Sequence, residues 1–88
     1  MVQIKEMIEV LQNIVTCLQG EEEGKGYAML VEAVPQLERI SNAIIEQEGE
    51  NTLMAGLVSI IEGLENQDKW MIADVIQYEI IEKLNEYT

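Results

Sequence analysis

The stretch TLMAGLVSIIEGLE, residues 52–65, decides the fold. Leu53, Met54, Leu57, Val58, Ile60, Ile61 and Leu64 occupy most of a helical wheel, and Glu62 and Glu65 are its only charges. A helix that is apolar nearly all round must be covered on more than one side. The segment reads as a central core helix; the alternative is that part of its surface is a seam for a dimer or another partner. Its remaining side carries Gly56, Ser59 and Gly63 at helical spacing, small residues that let another helix backbone approach closely. Each glycine costs about 1 kcal/mol relative to alanine inside a helix, so close packing must compensate.

The flanking segments are amphipathic in the ordinary way. After the central segment, Asp68 is placed to cap a last helix over 69–86. The main stripe of that helix is Ile72, Ile76, Ile80 and Leu84; Met71, Val75 and Tyr78 fall among the acids Asp74, Glu79, Glu82 and Glu86. Lys83, four residues after Glu79, is placed for a helical ion pair with it. Before the central segment, Gly49 ends a helix over 27–47, and Asn51 or Thr52 caps the central helix itself. The apolar stripe of the 27–47 helix (Tyr27, Leu30, Val34, Leu37, Ile44, Ile45) keeps its phase across Pro35, which falls on the polar face. One helix kinked at Pro35, not two, is expected. Upstream, EEEGKG over 21–26 reads as a turn or a fraying first helical turn. Residues 2–18 form the first helix, with Ile4, Ile8, Leu11 and Val15 on one face and Gly20 as its stop. Four such segments with short polar connections, and no hairpin dipeptide, predict one all-α domain over 1–88: four antiparallel amphipathic helices in a small bundle.

Composition narrows the function. Five basic residues face 17 acidic ones, there is no histidine, and the formal charge is −12. Nucleic acid and anionic membrane are excluded as partners, because phosphate binding needs a basic patch. Without histidine, the commonest general acid/base and a frequent metal ligand, an enzyme is not expected. The Glu62/Glu65 and Glu79/Glu82 pairs have helical spacing, yet a di-iron bundle needs Glu-x-x-His, so no metal is assigned. The acidic surface is expected to attract divalent cations no more than loosely. Gly20, Gly24 and Gly26 lack the Lys-Ser/Thr that follows a phosphate loop, and no cofactor is expected. Ser41 and Ser59 lie within helical stripes without the Asp-Ser-Leu of acyl carrier proteins, whose composition is otherwise comparable. The single Cys17 cannot close an intrachain disulfide, and VQIKEMIEVLQNIV does not read as a secretory leader, so a cytoplasmic location is expected. A chain this short buries only about 60–65% of its unfolded surface, which favours a homodimer.

Residues 68–87, with Lys69-Trp70, Ile72-Ala73-Asp74 and Tyr78-Glu79 within them, resemble small acidic helical proteins of uncharacterised function from low-GC Gram-positive bacteria. In those proteins an aspartate and a Tyr-Glu pair recur on the last helix. The resemblance implies a helical fold and a bacterial cytoplasmic setting, and no chemistry. A fainter likeness, of size and charge alone, is to flagellar and type III export chaperones, which mask an amphipathic helix of a client. The expected function is a non-enzymatic protein-binding module, chaperone-like towards a basic or amphipathic-helical client. The alternative is a structural homodimer with no other partner. The expected contacts are Met54, Val58, Met71, Val75 and Tyr78, apolar side chains outside the tidiest stripes.

Overall fold

The computed structural model describes residues 2–48 and 53–87, with only the backbone described at 2, 3, 47 and 48. Among the described residues the regular structure is entirely helical. Helix α1 is Val2–Gln19, α2 is Glu23–Glu48 and α3 is Leu53–Asn66. The fourth helix, α4, covers 69–85: it opens as an α-helix (Lys69–Val75), widens into a π-helical segment (Ile76–Ile81) and closes with one α-turn (Glu82–Asn85). The expected stop at Gly49 and the cap at Asn51 or Thr52 lie outside the described residues.

In α1, Ile4, Met7, Ile8, Leu11, Ile14 and Leu18 recur every three or four positions and are all buried. The chain reverses after Gly20, and Gly26 N–H donates to the Glu22 carbonyl at 3.0 Å. Helix α2 therefore begins at Glu23, four residues before the position the apolar pattern indicates. Glu23 sits in the first turn, where its charge favours the helix dipole. Gly26 is buried where α1 and α2 converge; a Cβ there would stand 3.0 Å from Leu18. Helix α2 runs unbroken through Pro35, whose ring is exposed. Its 26 residues extend about 39 Å, against a longest molecular dimension of 38 Å.

Helix α1 packs along α2 and α4, and α3 packs along those same two helices. The four thus close a ring around Leu11, Ile14, Leu30, Leu37, Ile60 and Ile76, all essentially inaccessible. Gly56 faces Ile80 and Gly63 faces Ile72, so the partner number falls as the α3 number rises and the two helices are antiparallel. Their turn leaves α3 through Gln67, which has a left-handed φ of 51°. Gln67 N–H donates to Leu64 O at 3.3 Å and Asp68 N–H to Gly63 O at 2.9 Å, the paired bonds of a Schellman end. Asp68 then opens α4, its Oδ1 accepting from Met71 N–H at 3.1 Å.

The π-segment arises from the stripe it carries. Ile72, Ile76, Ile80 and Leu84 are spaced at a strict four residues, and every one is fully buried. In a pure α-helix, 3.6 residues per turn would carry that row about 40° around the axis at each step. A turn closed five residues back accommodates roughly one extra residue and cancels the drift. The same widening spoils the Glu79–Lys83 stacking, and Lys83 Nζ instead lies 3.5 Å from Glu86 Oε2.

Candidate functional site

Helix α3 has two neighbours and three kinds of flank. Leu53, Leu57 and Ile60 point into the core, while Gly56 and Gly63 lie against α4. Among the described residues no helix covers the third flank. Met54, Val58 and Ile61, one helical turn apart from each other, are 43%, 49% and 40% exposed. Only Glu62 and Glu65 are charged on this helix, and both are exposed beside that row.

Helix α2 continues the face. Its side towards α1 is identified by an open groove of about 590 Å³ lined by Met7, Val10, Glu32, Pro35, Arg39 and Ile40 among others. Ile45 falls by helical phase on the other side of α2, along which α3 packs, and it is exposed. Exposed Glu38 lies beside it on the same flank, whereas Glu46 falls by phase with Arg39, away from that flank of α2. The α2–α3 seam thus bears an apolar row, Ile45, Met54, Val58 and Ile61, bordered by carboxylates.

The residues expected to meet a partner are not brought together. Met54 and Val58 share the uncovered flank of α3. Tyr78 is 66% exposed but stands on the outer side of α4 among Glu79, Glu82, Lys83 and Glu86, beyond the glycine-lined contact. Met71 is half-buried against the core. Val75 is a correction: it is 7% exposed and part of the core, not of a surface. Helix α4 packs against both α1 and α3, so its buried arc is wide enough to take in a residue next to Asp74. Ser59 is half-buried on α3, between the glycines. Ile61 and Ile45 were missed because each also fits an apolar core stripe. The one available signal was that Ile61 continues the Met54–Val58 spacing.

Polar chemistry concentrates at one corner. Lys69 Nζ bonds Glu23 Oε2 at 3.2 Å, tying the start of α4 to the start of α2, and lies 5.3 Å from the Trp70 ring centre. Beside this pair the Tyr27 hydroxyl is buried with no hydrogen-bond partner among the described residues. Burial raises its pKa above the ordinary 10.0; the Glu23 and Asp68 charges add to the rise and Lys69 opposes it. The phenol stays protonated near neutral pH and stabilises the joint by its ring. Among the described residues no group of three or more acidic or cysteine side chains is arranged to hold a metal ion. Nor is any described helix long and apolar enough to cross a membrane.

Among the described residues the arrangement offers a surface, with no convergence of reactive groups. No curated protein and no solved structure matches the chain. A family model does match it over residues 3–88, and the chain belongs to that family, described as a Domain of unknown function (DUF8042).

Proposed function

We propose that this protein is a non-enzymatic binding module that holds another protein on the α2–α3 face, working in the bacterial cytoplasm in a chaperone-like way. The observation that carries the reading is the uncovered flank of α3. Three large apolar side chains, Met54, Val58 and Ile61, remain at least two-fifths exposed on a helix that buries Leu53, Leu57 and Ile60. Single exposed apolar residues are ordinary, but a row on one helix flank continued by Ile45 on its neighbour is a contact surface. Methionine adapts to differently shaped partners, which suits such a face.

The test is affinity capture with the wild-type chain and with a Met54→Gln/Val58→Thr variant, which keeps side-chain size. The expected result is a partner recovered by the wild type and lost by the variant, with thermal melting unchanged. Equal recovery by both would remove the face from the reading. A second reading, a homodimer without other partners, draws on the same exposed row. Light scattering tests it: a wild-type dimer that the variant converts to a monomer is its signature.

A further inference from the structure

We infer that the occupant of the α2–α3 face is an amphipathic helix of another protein whose apolar stripe is flanked by lysine or arginine. This rests on the binding-module reading and adds the chemistry of the partner. The face spans two neighbouring helices, and its anchors run along α3 at four- and three-residue steps, Met54 to Val58 to Ile61, about 10 Å of helix. A helix laid into it presents matching anchors at i, i+3 or i+4, and i+7.

Charge selects the flanks. Among the described residues the ionised groups bordering the row are carboxylates: Glu38 on α2, Glu62 and Glu65 on α3. The basic residues are elsewhere. Arg39 lines the groove on the α1 side of α2, and Lys5 lies on α1. Lys25, Lys69 and Lys83 pair with Glu22, Glu23 and Glu86. A second copy on this face would bring carboxylates against carboxylates and join two chains of formal charge −12. Like-charge juxtaposition of that kind suppresses wrong partners, whereas a basic-flanked helix is drawn in and held in register.

The experiment uses the full chain and three synthetic helical peptides followed by fluorescence anisotropy. One peptide has Leu anchors at i, i+3, i+4 and i+7 with Lys/Arg flanks. The second has the same anchors with Glu flanks, and the third scrambles the first, keeping its charge. The first peptide is expected to bind about tenfold or more tightly than either control. Its affinity should fall about tenfold with Met54→Gln/Val58→Thr, and also with Glu62→Gln/Glu65→Gln, which leaves the apolar row intact. Binding should weaken as salt rises from about 50 to 500 mM. Equal binding of the scrambled peptide would reduce the effect to bulk charge, and equal binding of the Glu-flanked peptide would remove the role of the carboxylates. A wild-type dimer that Met54→Gln/Val58→Thr makes monomeric would assign the face to a second copy. Each of these overturns the inference. If the peptides fail while the variant still loses a captured protein, the partner chemistry falls and the binding module stands. If the variant changes neither, both fall.

Discussion

At the residue scale the α3–α4 contact turns on two glycines in different surroundings. An alanine Cβ at Gly63 would stand 2.6 Å from Ile72 Cγ1, close to the backbone of a fully buried side chain. At Gly56 it would stand 2.5 Å from Ile80 Cδ1, the far end of an equally buried side chain, which has one more rotatable bond with which to give. Alanine gains about 1 kcal/mol of helix propensity at either site, and overpacking costs about 1–3 kcal/mol. Gly63→Ala is therefore expected to destabilise by about 1–2 kcal/mol, while Gly56→Ala stays near neutral. Urea unfolding of the two variants checks the order, and a reversed ranking would contradict the contact. Small residues at helical spacing were legible in the sequence as a site of close approach. Which helix approaches, and how hard each glycine is pressed, was not, because those depend on the register of α4. The Gln67 turn is similar: glycine or asparagine is the usual left-handed residue at a helix end, and nothing in the string marks glutamine for it.

At the scale of elements, the π-segment of α4 is the least ordinary feature, and its strict four-residue stripe was visible in the sequence. Deleting Gln77 should convert the segment to a regular α-helix. The stripe would then run at steps of four, three and four residues, the normal α pattern, with Ile72 and Leu84 still facing inward. We expect this variant to fold with full helicity. Deleting exposed Gln12 from the regular helix α1 should instead rotate Ile14, Val15 and Leu18 by about 100° away from the core and unfold the chain. Circular dichroism melts of the two deletions distinguish them; equal damage would mean that the wide turn does not absorb a residue. Pro35 teaches the complementary lesson. Its position on the polar face was enough to foresee an uninterrupted α2, because a proline ring turned towards solvent disturbs no core contact. Val75 went the other way: one neighbouring helix would have left it at the margin, and two neighbours buried it.

At the scale of the whole molecule, charge works against a small core. A formal −12 on a chain of 88 residues repels itself in the compact state, and the three described ion pairs offset little of this. Raising sodium chloride from about 20 to 500 mM is expected to raise Tm. Relief of about 1 kcal/mol corresponds to roughly 4–8 °C in a domain this small. A flat or falling Tm would show that the carboxylates are too dispersed for self-repulsion to matter. The number of helices, the continuity of α2 and the inward stripes were determined by the sequence alone, since apolar periodicity states which side of each helix must leave water. The sequence could not say how many neighbours each helix would find. Among the described residues ring packing gives α3 two close neighbours, α2 and α4, and so leaves Met54, Val58 and Ile61 at the surface although they are as apolar as the residues inside. Periodicity measures a helix's demand for burial; only the tertiary arrangement decides how much of that demand is met within the chain.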